Sequence, residues 1–85
     1  MVDKTEEVLK QIELDFLDKF KNSFYLIECI EYTNDYFFKV DKKTAYTDSF
    51  LKWLSKINEM LFKENINNIR IVILKDEEVS GNDIV

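Results

Sequence analysis

Ser49 is the residue in this chain best placed to carry chemistry. It follows Asp48 and opens an apolar pattern in AYTDSFLKWL, residues 45–54. A short hydroxyl side chain in that position can help start a helix, where the first backbone amides lack partners. It can also serve as an attachment point for chemistry. The other candidates offer less. Histidine is absent, which removes the commonest general acid–base group. Cys29 is the only cysteine and lies in the apolar run FYLIECIEY, residues 24–32, where a free thiol is expected to be inert packing. One cysteine closes no intramolecular disulfide, and without histidine it assembles no zinc site. Glu28 and Glu31 are three residues apart, which on a strand sends them to opposite faces and makes no catalytic pair. Asp76, Glu77 and Glu78 lack the alternating oxygen spacing of a calcium loop and read as a solvated charge run. Gly81 is the only glycine, so there is no glycine-rich phosphate loop. No catalytic residue and no metal site is therefore expected, and the chain is not expected to be an enzyme.

Aromatic residues stand beside Lys39, Lys42 and Lys43 in YFFKVDKK, residues 36–43, the ingredients of a base-stacking surface. The charge balance argues against that use. Net charge is −5, with the negative excess in residues 1–21 and 75–85 and none in between. Such a chain repels phosphate backbones, so nucleic-acid binding is not expected. The aromatics, like Trp53 at helical spacing, are expected to be core.

Chemistry needs elements to position it, and 85 residues allow one domain with a modest core. Hydrophobic residues form 46% of the chain, ample for a packed interior. No apolar run approaches the roughly 18 residues of a membrane-spanning helix. The acidic, mixed segment MVDKTEEVLK resembles no leader peptide. A cytoplasmic protein without membrane contact is expected, with a domain over residues 1–75 and an acidic tail over 76–85. Proline is absent, so asparagine is expected to make the turns, being the residue that best tolerates left-handed backbone after glycine.

Asp3 and Glu6 have capping-box spacing. Val8, Leu9, Ile12, Phe16, Leu17 and Phe20 then recur with the period of one helix face, predicting a helix over residues 4–21. FYLIECIEY breaks the period and is rich in aromatic and β-branched types, predicting a strand over 24–32 that is apolar on both faces. TND is a turn, YFFKV a second strand, and DKKTAYT a polar connection. The helical period returns over 48–64, with Thr47 or Asp48 as its cap, and NINN ends it. IRIVILK, residues 69–75, is the strongest strand pattern. The expected fold is α+β, in the order α-β-β-α-β, with two helices packed on one face of a small three-stranded sheet. A right-handed crossover through the second helix would set two strands parallel.

Asp48-Ser49 followed by an apolar residue resembles the phosphopantetheine site of acyl and peptidyl carrier proteins. TNDYFFKV is similar to the D-x-F-F stretch ahead of the carrier serine, and the chain has a carrier's length, acidity and opening helix. The resemblance implies an all-helical fold and a 4'-phosphopantetheine arm on Ser49. It also implies that Phe50, Trp53 and Ile57 contact partner enzymes or the arm. The chain departs from that pattern in the AYT ahead of Asp48, where carriers have a glycine-rich step, and in its two strand-like runs. The order from Tyr25 to Gly81 is also similar to the opening of STAS-type regulatory domains, without their phosphorylation loop.

Three apolar strands in so small a sheet leave two edges and one poorly covered face, which proteins either protect or use. The expected function is a small acidic, noncatalytic protein-interaction module, an inhibitor or regulator acting by binding a partner protein. Glu28, Glu31, Asp76, Glu77 and Glu78 are the expected partner-binding residues, and a homodimer through a sheet edge is one form the partner can take. The alternative is the carrier protein with its cofactor on Ser49.

Overall fold

The computed structural model describes residues 4–75. The proposed capping residue Asp3 and the acids Asp76, Glu77 and Glu78 lie outside the described residues. Six elements follow in order: α1 (Lys4–Lys19), β1 (Tyr25–Ile30), β2 (Asp35–Val40), α2 (Lys42–Ala45), α3 (Asp48–Lys63) and β3 (Ile69–Ile73). The fold is the expected α+β arrangement with one additional short helix.

Helix α1 buries Val8, Leu9, Ile12 and Phe16, one stripe at helical spacing. Glu6 and Glu7 in its first turn and Lys19 in its last complement the helix dipole. It ends two residues before the expected Lys21. Strand β1 is shorter than the apolar run that predicted it, because the chain turns at residues 31–34, where Asn34 takes a left-handed conformation (φ 62°). Its amide donates to the Ile30 carbonyl at 2.8 Å. Asparagine thus supplies the turn geometry that glycine usually provides.

Strands β1 and β2 pair antiparallel, with Tyr25 opposite Val40 and Ile30 opposite Asp35. The central strand β2 then pairs parallel with β3, Tyr36 opposite Ile69 and Val40 opposite Ile73. The chain between β2 and β3 carries α2 and α3, the long crossover a parallel pair requires.

The segment DKKTAYT departs from the expected polar connection by forming α2. Asp41 caps that turn: one carboxylate oxygen accepts from the Thr44 amide at 3.3 Å and the other from the Phe24 amide at 3.2 Å. Four residues are too few to show a hydrophobic period, so only the burial of Ala45 marks the element. Thr47 caps α3, its hydroxyl accepting from the Phe50 amide at 3.2 Å and donating to the Thr44 carbonyl at 2.8 Å. The helix closes at Glu64, and Asn65 follows with φ 64°, the left-handed residue that ends many helices.

Both long helices cover the same face of the sheet. Phe16 of α1 and Trp53 of α3 lie 5.5 Å apart between ring centroids, and each also reaches Phe38 on the central strand, at 5.3 and 6.4 Å. Phe50, Ile57 and Leu61 of α3 and Tyr36, Val40 and Ile69 of the sheet complete that core. Tyr25 stacks on Phe38 at 5.2 Å with rings nearly parallel. The polar tips of the aromatic side chains are met by α1. Glu13 accepts from the Tyr25 hydroxyl at 2.6 Å, Asp15 from the Trp53 indole at 2.6 Å, and Glu6 from the Tyr36 hydroxyl at 3.3 Å. These acids therefore have a structural use: buried aromatic donors need acceptors. The Glu13 hydrogen bond, aided by desolvation, raises the Tyr25 pKa above its usual 10.

Candidate functional site

Strand alternation that points Tyr36, Phe38 and Val40 at the helices sends Phe37 and Lys39 the other way. Pairing extends this second set into two rows across the sheet. Leu26, Lys39 and Val72 form one, and Glu28, Phe37 and Arg70 the other. Neither α1 nor α3 contributes to this face. Leu26 is 44% exposed there, and Phe24, just before β1, is exposed as well.

A shallow depression of about 310 Å³ lies on this side, lined by Glu28, Phe37, Lys39, Val72, Ile73 and Lys75. Lys39 Nζ reaches Glu28 Oε1 at 2.9 Å. The two side chains differ in exposure, 12% for Lys39 against 52% for Glu28. Lys39 thus lays its aliphatic stem along apolar neighbours and delivers its ammonium to the rim. An ion pair open to water on one side contributes little to stability, so its consequence is orientation of a charge beside an apolar strip. The strip sits between two edge strands, β1 and β3.

Of the residues singled out in the sequence, Glu28 belongs to this face. Glu31 does not sit opposite it on a strand: β1 ends at Ile30, and Glu31 is an exposed residue of the following turn. Asp76, Glu77 and Glu78 lie outside the described residues. Cys29 is exposed rather than packed. Its register places it in the row of Tyr36 and Ile69, but at the outer edge of β1, where the helices give it no cover.

Ser49 is exposed in the first turn of α3, two residues after the Thr47 cap. It borders a polar hollow of about 430 Å³ together with Lys19, Ser23, Asp41 and Thr44. The two runs flanking it in sequence are strands at 25–30 and 69–73, so the chain does not adopt the all-helical fold that the carrier resemblance implies. Phe50, Trp53 and Ile57, which that resemblance assigns to partners or the arm, are buried in the core. Among the described residues no cluster of three or more metal-ligating side chains is found, and no helix is long and apolar enough to cross a membrane.

Val72 was not singled out in the sequence, Phe37 was expected in the core with the other aromatics of YFFKVDKK, and Lys39 and Glu28 were named separately but not as a pair. Their signal was the period of two in YLIEC and YFFKV, which assigns alternate residues to the far side once one side is known to be core. Comparison with protein families, curated proteins and solved structures finds no match for this chain.

Proposed function

We propose that this chain is a small noncatalytic interaction module that binds a partner protein, as an inhibitor or regulator, through the helix-free face of its sheet. One observation carries the proposal: the Leu26, Phe37 and Val72 strip, flanked by the oriented Lys39–Glu28 pair, lies between two strand edges and, among the described residues, has no helix over it. Apolar strips rimmed by charge on a small domain are characteristic of protein contact surfaces. Edge strand β1 adds backbone groups for pairing with an extended partner segment, and a second copy of this chain is one partner that such an edge admits.

The test compares capture of a defined partner from native extract by wild type, Leu26→Glu, Val72→Glu and Leu51→Glu. Leu51 is exposed on α3, away from the strip, and serves as the control. The proposal expects one partner bound by wild type and Leu51→Glu and lost from both sheet variants. Equal capture by all four would overturn it. Incubation with a phosphopantetheinyl transferase and coenzyme A separates the carrier reading: the interaction module keeps its mass, whereas addition of one arm at Ser49 would make the protein a carrier.

A further inference from the structure

Strand β1 pairs with β2 on one side and, among the described residues, with nothing on the other. Which backbone groups it turns outward follows from the ladder. The Asp41 amide donates to the Phe24 carbonyl at 3.0 Å, so these two residues bond across the pair. On the other side of β2, the Tyr36 amide donates to the Asn68 carbonyl and the Val40 carbonyl accepts from the Leu74 amide, each at 2.8 Å. Even-numbered residues of β2 thus turn their backbone groups to β3, and odd-numbered ones turn theirs to β1. By the register, Leu26, Glu28 and Ile30 meet Lys39, Phe37 and Asp35 and spend their groups inward. Tyr25, Ile27 and Cys29 are left with amides and carbonyls directed away from the sheet.

Proteins commonly guard such an edge with lysine, proline or a bulge. β1 contains no lysine or proline, and its register with β2 runs unbroken from Tyr25 to Ile30. Its sole charge, Glu28, is drawn toward Lys39 on the neighbouring strand. Apolar side chains stand open beside it: Phe24 is 54% exposed and Leu26 44%. On the helix side, Glu13 reaches Tyr25 of β1 while Asp15 reaches Trp53 of α3. Leu17, one turn after Glu13, therefore stands on the β1 flank of α1, and it is 41% exposed.

The edge is self-complementary. An antiparallel copy must set outward residues against outward residues, so a two-fold axis falls on a residue rather than between two. Centred on Glu28, the pairing sets that carboxylate against its own copy, a destabilising cross-strand contact. Centred on Leu26, it sets Cys29 against Ser23, which precedes the strand. Centred on Ile27, it uses every outward residue of β1: Tyr25 meets Cys29, and Ile27 meets its own copy. The exposed Phe24 then meets Ile30, and Glu28 faces Leu26 with its carboxylate still held by Lys39.

We infer that the chain forms a homodimer by antiparallel pairing of β1 with β1 of a second copy, centred on Ile27. This names the partner of the β1 edge and rests on the reading of that edge given above, but it makes no use of the helix-free strip. Such pairing keeps the helices of both copies on one side of a continuous sheet, with the two Leu17 flanks turned toward each other. It also merges the two helix-free faces into one surface.

Sedimentation velocity in reducing buffer, where no Cys29 disulfide can link chains, tests the pairing. Wild type, Cys29→Pro and Val72→Glu are compared from micromolar to millimolar concentration. Proline at position 29 removes an outward amide, so the β1–β2 ladder remains. The expected result is two chains for wild type and Val72→Glu, and one chain for Cys29→Pro where wild type is paired. The register is read in wild type alone, by mixing isotopically labelled and unlabelled chains. Alpha protons of a non-hydrogen-bonded antiparallel pair lie close, so filtered spectra should show a contact between Leu26 of one chain and Glu28 of the other. A single chain at every concentration would overturn the inference, as would an undiminished dimer in Cys29→Pro or a contact between the two Glu28 residues. Val72→Glu is expected to lose the extract partner and keep the dimer, so failure of the strip and failure of the dimer are distinguishable.

Discussion

Phe37 and Phe38 are neighbours on β2 with opposite assignments, and truncating each to alanine separates the two faces energetically. Phe38 is 0% exposed and touches the rings of Phe16, Tyr25 and Trp53 at 5.3, 5.2 and 6.4 Å. Removing a buried phenylalanine costs about 3–5 kcal/mol in lost transfer and an unfilled cavity. A domain of this size is stable by roughly 4–13 kcal/mol at ~0.05–0.15 kcal/mol per residue. Phe38→Ala therefore removes about a fifth of the total or more. Phe37 is half-buried on a side without helices. Full burial of such a side chain is worth about 1.5–3 kcal/mol, so its truncation should cost about 1 kcal/mol. Urea denaturation followed by tryptophan fluorescence measures both. With slopes of ~1–3 kcal/mol/M, Phe38→Ala should lower the midpoint by at least ~1 M, and Phe37→Ala by well under that for the same slope. Equal losses would refute the assignment of faces, and a larger loss at Phe37 would reverse it.

Thr47→Ala removes the cap of α3 and should cost about 1 kcal/mol in the same urea assay, while Ser49→Ala should stay within ~0.5 kcal/mol. Asn65→Ala, at a left-handed φ of 64°, should destabilise by about 1 kcal/mol, whereas Asn65→Gly should be nearly neutral. The raised pKa of Tyr25 means that the folded chain holds that proton more tightly than the unfolded one. Its contribution is fully present below about pH 10, the ordinary phenol value, and is lost as pH rises through the higher folded value. Stability measured across that range should fall less steeply in Tyr25→Phe than in wild type.

The architecture was legible where a period was long enough to repeat. α1 and α3 declared themselves through four or more apolar positions each, and the apolar runs at 24–32 and 69–75 marked two strands by composition. Asparagine at 34 and 65 made the turns that the missing glycines and prolines could not. What escaped was local or relational. α2 is a single turn fixed by Asp41, a capping contact that no periodicity announces. Glu31 fell beyond the strand because the turn at 31–34 begins inside the apolar run. Cys29 is exposed because burial depends on where the helices lie over the sheet, which alternation alone does not specify. The candidate site divides the same way. Glu28 was legible as an isolated acid in an apolar strand, but its partner Lys39 and the row of Phe37 and Arg70 required the register of three strands.

Site-specific photo-crosslinking tests the partner surface most directly. A photoreactive phenylalanine analogue is placed at position 37 or at position 62 and irradiated in native extract. Phe62 is 84% exposed and Phe37 only half-buried, so exposure alone favours adducts from position 62. Binding through the helix-free face predicts a discrete adduct with one partner protein from position 37 and none from position 62. The same adduct from both positions, or one from position 62 alone, would contradict it.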